Sequence, residues 1–144
     1  MTSRETVLSY FQERFGIQPD IFTNYEIYTG SKGRLYLGPK TSIPRPEPAS
    51  VGILIARIDK SIKPSTNFLQ LFGKNVKKNK ILLDKEDALL YANGENIEVE
   101  EVGGVTGGYT LVSYLDLPLG CGFLKDKTIL NMIPKAKRIK LKFI

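Results

Sequence analysis

Five cations stand within the eight residues from Lys135 in the stretch PKAKRIKLK, Pro134 to Lys142: Lys135, Lys137, Arg138, Lys140 and Lys142. Ammonium and guanidinium groups at this density neutralise phosphate, and an arginine can also stack on a base or hydrogen-bond its edge. The competing use is protection of an edge strand, where charge deters pairing with a second chain. A second basic stretch runs from Lys63 to Lys80, with five cations, Lys77, Lys78 and Lys80 among them, and no acid. Between the two, Asp84 to Glu101 carries seven acids against Lys85 alone. The formal charge of +6 is therefore segregated along the chain, and segregated positive charge points to an anionic partner, most often nucleic acid.

The sequence is poor in the groups that catalysis usually recruits. It has no histidine and one cysteine, Cys121, so Ser-His-Asp and Cys-His nucleophiles, imidazole proton shuttles and histidine zinc sites are all ruled out. Cys121 lies between two glycines with no activating base in view and reads as a packed thiol. GCG at Gly120 to Gly122 and GGVTGG at Gly103 to Gly108 match neither GxGxxG nor GxxxxGK, and both are expected to be turns. Glu98, Glu100 and Glu101 cluster without a second carboxylate pair or a DxDxDG spacing, and alternation puts Glu98 and Glu100 on one solvated face. No metal site and no cofactor are expected. A single cysteine permits no internal disulfide, no apolar run approaches the roughly 20 residues that cross a bilayer, and the amino-terminal stretch is polar and charged. The expectation is a soluble protein of the cytoplasm.

The elements that must position these groups follow from pattern. Thr2 and Glu5 have capping-box spacing before Val7, Leu8, Phe11 and Phe15, which predicts a first helix stopped by Gly16 and Pro19. Tyr25 to Tyr28 and Arg34 to Leu37 read as strands around a GSKG loop, and Tyr28 and Tyr36 beside that loop are candidates for base stacking. Pro39 to Ser50 holds four prolines and reads as an extended loop. Val51 to Ile58, VGILIARI, is apolar and β-branched and predicts a buried central strand with Arg57 emerging near its end. Pro64 and Ser65 start a short helix through Phe72 that Gly73 ends. A strand at Lys80 to Asp84 precedes a helix with Asp84 as N-cap, acids in its first turn and Gly94 at its C′ position. From there NIEVEEV, GYTLVSYL, GCGFL, TILNMIPK and RIKLKFI predict short strands of an antiparallel barrel or half-barrel. In the last of these Ile139, Leu141 and Phe143 face inward and Lys140 and Lys142 outward. The fold class is α+β, with a boundary near Ile62.

VGILIARI, KPS with FLQLFG, KNKILLDKEDALLYANGENI and GYTLVSYLDLPLGCGFLKDKTILNMIPKAKRI, in that order, resemble the C-terminal RNA-binding region of RNA cytosine-carbon-5 methyltransferases of the Nol/Nop/Sun superfamily. The same residues are similar to a ribosome-biogenesis factor that pairs a small α/β domain with a PUA domain. The likeness runs from about Tyr25 onward, and LLYANGENI with PLGCGFLKDKTILNMIPKAKR is its most specific part. It implies a small N-terminal α/β unit at residues 1–62 followed by a PUA-like antiparallel β pseudobarrel at 63–144.

The resemblance also implies where RNA would lie. The helix-to-loop face of PUA domains maps onto Asp87 to Asn96, specifically Asn93, Gly94 and Asn96. The basic carboxy-terminal segment maps onto Lys135, Lys137, Arg138 and Lys140, and the acidic helix ranks that segment above the first face. The methyltransferases of this superfamily carry a Rossmann-like domain that binds S-adenosylmethionine, and that part of the pattern has no counterpart in these residues. The expectation is a non-catalytic binder of structured RNA, tRNA or rRNA, serving RNA modification or ribosome biogenesis beside a separate methyltransferase or assembly factor. The alternative is a protein-interaction adaptor, or the detached RNA-binding subunit of a methyltransferase, whose acidic Asp84 to Glu101 surface takes a basic partner.

Overall fold

The computed structural model of the chain describes residues 3–40 and 52–138. Helix α1, Ser3–Phe15, turns Val7, Phe11 and Phe15 inward, four residues apart, so that one stripe is fully buried. Gly16 ends it in the left-handed region at φ +68°. The Phe11 ring stacks on Phe68 with centroids 4.2 Å apart, and Phe22 and Phe72 complete an aromatic cluster.

Strands β1 (Tyr25–Thr29), β2 (Arg34–Pro39), β3 (Ile53–Ile58) and β4 (Ile62–Pro64) form an antiparallel meander in sequence order. Leu35 and Leu37 of β2 point into the core, while Arg34 and Tyr36 alternate to the other face. The β1–β2 connection is tight enough that a Cβ on Gly33 would lie 2.0 Å from the Ile58 carbonyl oxygen, and Gly33 has φ +75°. Ser65 then caps helix α2, Thr66–Phe72: its Oγ accepts from the Phe68 N–H at 2.9 Å and donates to the Leu54 carbonyl at 2.5 Å, joining the helix start to β3.

The second sheet has the order β5–β7–β8–β9–β6, with β5 at Lys80–Leu82, β6 at Ile97–Glu98, β7 at Gly108–Tyr114, β8 at Leu117–Lys125 and β9 at Thr128–Asn131. Helix α3, Lys85–Ala92, crosses from β5 to β6 and buries Tyr91 against the sheet, where its hydroxyl donates to the Cys121 carbonyl. The result is an α+β fold with a curled half-barrel. Among the described residues no helix is long and apolar enough to cross a membrane.

Three expectations need correction. The half-barrel is not wholly antiparallel, because β5 pairs with β7 in parallel; the α3 crossover does not return beside β5 but delivers the chain to the opposite edge. GCG is not a turn. Gly120, Cys121 and Gly122 lie inside β8, where a Cβ on Gly122 would stand 2.7 Å from Ile129 and 2.8 Å from the Tyr91 hydroxyl, so the glycines admit close packing across the strand. NIEVEEV shrinks to Ile97–Glu98, and Glu100 is exposed outside any strand. Strand β4 was not foreseen; it carries the first sheet through Pro64, past the expected boundary at Ile62. The strand expected over RIKLKFI lies, beyond Arg138, outside the described residues, as do most of the Pro39 to Ser50 loop and Val51.

The two sheets are joined by a shared core. One buried cluster combines Val7, Phe11, Leu35, Ile55 and Phe68 with Leu111 of β7 and Cys121 of β8, and a second lies between α3 and the half-barrel. A polar lock adds to the joint. Arg14 at the end of α1 donates from Nε to the Tyr109 carbonyl at 2.7 Å and from Nη2 to the Thr106 carbonyl at 2.7 Å. Asn79 donates to the Arg14 carbonyl and accepts from the Thr106 N–H at 3.1 Å.

Candidate nucleic-acid interface

Helix α3 starts on Asp84, whose Oδ1 accepts from the Asp87 N–H at 2.9 Å, and closes through Asn93 into Gly94 at φ +103°. No residue with a side chain adopts that conformation cheaply, so the turn out of α3 depends on glycine. The loop that follows is held by Asn131 at the end of β9. Its Nδ2 donates to the carbonyls of Tyr91 at 2.7 Å and Glu95 at 3.0 Å, and its backbone N–H donates to Asn96 Oδ1 at 2.8 Å. Its own Oδ1 accepts from the Ile133 N–H at 2.9 Å, so one side chain fixes both the loop after α3 and the start of the carboxy-terminal segment.

That segment turns at Lys135–Lys137 and runs back over the loop. Arg138 donates from Nε to the Ile133 carbonyl at 3.1 Å, and its Cδ, Nε and Cζ lie 2.7, 2.8 and 3.0 Å from where a Gly94 Cβ would be. The guanidinium thus lies directly against the bare backbone of Gly94. Lys137 donates to Asn67 Oδ1 on α2, while Lys135 is exposed.

Asn93, Gly94 and Asn96 are expected as one face and Lys135, Lys137 and Arg138 as another; the structure makes the two meet where Arg138 lies against Gly94, while Lys137 turns to Asn67 on α2. Lys140 lies outside the described residues. Lys77, Lys78 and Lys80 sit elsewhere. The N–H groups of Lys77 and Lys78 donate to the Phe15 carbonyl at 2.8 and 3.3 Å with both side chains exposed, and Lys80 is on β5 at the far edge of the sheet. Lys80 lines, with Lys74 and Asp116, a separate hollow of about 360 Å³.

Sequence reasoning missed two contributors to this surface. Asn131 carried a weak signal, a polar amide where the strand pattern of TILNMIPK stops. Asn67 carried none, since its role depends on Lys137, 70 residues away.

Beneath the surface Cys121 is buried, and burial pushes its thiol from an ordinary 9.0 up to about 12. Burial also pushes the Tyr91 phenol upward, with the neighbouring thiol adding to the rise. Both are neutral packing groups at physiological pH. The arrangement can therefore present held guanidinium and ammonium groups beside amide side chains to an anion, as a phosphate-backbone contact requires.

Against known families, residues 78–139 match the model described as the Methyltransferase RsmF PUA domain. The match spans most of the half-barrel, which is therefore similar to an RsmF-type PUA domain. The matched range holds Gly94, Asn96, Asn131 and the segment through Arg138, so the surface assembled above lies within it, and the resemblance to the RNA-binding region of these methyltransferases is shown for this part of the chain. The first sheet lies outside the match. No curated protein matches the chain.

Proposed function

We propose that this chain is a non-catalytic RNA-binding protein of the cytoplasm that takes structured RNA, tRNA or rRNA, and serves RNA modification or ribosome biogenesis beside a separate methyltransferase or assembly factor. The observation that carries the reading is Arg138 lying on Gly94, which brings a guanidinium from the basic carboxy-terminal segment onto the helix-to-loop face and holds it there. Its position inside a PUA domain of an RNA methyltransferase family supports RNA as the anion. In this reading residues 63–144 supply most of the affinity and residues 1–62 support them. Binding needs no cofactor, and the buried, proton-retaining Cys121 supports a packing role for the one thiol.

The test is titration of a labelled tRNA or rRNA hairpin at several salt concentrations. If three to four cations reach phosphates, log K against log salt should fall with a slope of about −3 to −4. A flat dependence, or no binding at low salt, overturns the reading and favours a protein adaptor using the acidic residues from Asp84 to Glu101.

A further inference from the structure

The first sheet carries a cationic feature that the carboxy-terminal surface does not account for. Arg34 of β2 is the cross-strand partner of Arg57 of β3, and Arg57 is in turn the partner of Lys63 on β4. Three positive side chains therefore stand in one row across three strands. Like charges directly opposite one another destabilise a sheet, so the row works against folding and calls for a compensating anion. All three residues line one cleft of about 510 Å³, which Met132 and Pro134 also line and no acid does. Pro134 directly precedes Lys135, so the cleft opens onto the segment that carries Lys137 and Arg138. One row along, on the same face of the sheet as Arg34, Tyr36 stands opposite Tyr28 on β1 and Leu54 on β3. Glu26, also on that face, lies farther out, opposite Gly38.

We propose that Arg34, Arg57 and Lys63 form a second phosphate-binding row, which carries a single-stranded segment of the bound RNA from the PUA surface across the first sheet, with Tyr28 and Tyr36 offering ring faces to its bases. The proposal rests on the RNA reading above and extends the contact onto a part of the chain outside the family match. Single-stranded RNA fits better than a duplex because stacking on tyrosine needs unpaired bases. The cleft lining combines these cations with apolar Leu54 and Pro64, a mixture of charge and apolar surface on which a strand with exposed bases can lie.

The experiment compares the parent, Arg57→Glu, Arg57→Gln and the triple variant Lys135→Glu, Lys137→Glu, Arg138→Glu, using fluorescence anisotropy with a labelled single-stranded 12-nucleotide RNA and with a hairpin bearing the same single-stranded extension. Arg57→Glu places an acid between two cations, so its melting temperature should equal or exceed the parent's while its affinity for both RNAs falls at least fivefold and its salt slope flattens by about one to two. Arg57→Gln should lose less, about twofold to threefold. If the parent binds and Arg57→Glu binds equally well while the carboxy-terminal triple variant does not, the row is not a contact and this proposal alone falls. If Arg57→Glu melts well below the parent, Arg57 is a packing residue, and unchanged affinity of Arg57→Gln then overturns the proposal. If the parent binds neither RNA, the RNA reading falls and the row with it.

Discussion

The two lysine-rich stretches offer similar charge and hold it differently. At Lys77 and Lys78 the backbone is anchored to the end of α1, and the side chains extend into solvent beyond it. At Lys137 and Arg138 the side chains themselves are held, one on Asn67, the other on the Ile133 carbonyl and Gly94. A free lysine loses up to about 2 kcal/mol of rotamer freedom when a partner fixes it, and a side chain already held loses less. The difference teaches that equal charge density does not mean equal ordering, and on entropy grounds the ordered segment is expected to be the stronger contact.

The contrast can be broken most directly by charge reversal at the ordered segment. Lys135→Glu, Lys137→Glu and Arg138→Glu together should weaken RNA binding at least tenfold at low salt, about 1.4 kcal/mol or more, and flatten the salt slope by about three. Anisotropy titration measures it, and circular dichroism should show an unchanged fold. Parent-like affinity in the folded triple variant would remove the segment from the interface.

A smaller effect separates ordering from charge. Gly94→Ala leaves every cation in place but forces a Cβ into Arg138 at a backbone angle of φ +103°. It should lower the unfolding free energy by about 1–3 kcal/mol and weaken RNA binding about threefold to fivefold as the guanidinium is displaced. The control is Gly104→Ala, at φ +83° with nothing within 4 Å of the new methyl, which should show the strain without the loss of binding. Equal RNA affinity in the two variants would mean that the placement of Arg138 on Gly94 does not matter.

The smallest effect is expected at the other stretch. Reversing Lys77, Lys78 and Lys80 to glutamate should reduce affinity less than threefold, through long-range repulsion screened over roughly 8–10 Å at ordinary salt. A loss equal to that of the carboxy-terminal variant would invert the ranking and make the β5 edge the main contact.

Local chemistry made much of this molecule legible in its sequence. Asp84, the acids after it and Gly94 delimit α3 because caps and charge act within one turn, and Ser65 did the same for α2. The segregation of charge, also legible there, is what points to an anionic partner. What stayed hidden depended on contacts between distant residues. The bond from Arg14 to the Tyr109 carbonyl joins residues 95 positions apart, and no local pattern announces it. GCG reads as a turn until Tyr91 and Ile129 are seen pressing on the strand. The row of Arg34, Arg57 and Lys63 exists only through the register of three strands, one of them β4, whose three residues give no alternation to detect.

The joint between the sheets has a further consequence for how tightly RNA would be held. Because Leu111 and Cys121 share a core with Phe11 and Phe68, and Arg14 reaches from α1 onto Tyr109 and Thr106, the cations of the first sheet and those over Gly94 are carried at a fixed separation, with no flexible linker between them. Once an RNA engages one patch, the other meets it at an effective concentration set by the RNA's own reach, and the joint adds no slack of its own. Affinity should then rise with RNA length in a step: oligonucleotides too short to span both patches bind weakly, and those just long enough gain disproportionately. The rigid joint would make the protein a gauge of how much unpaired strand its partner exposes.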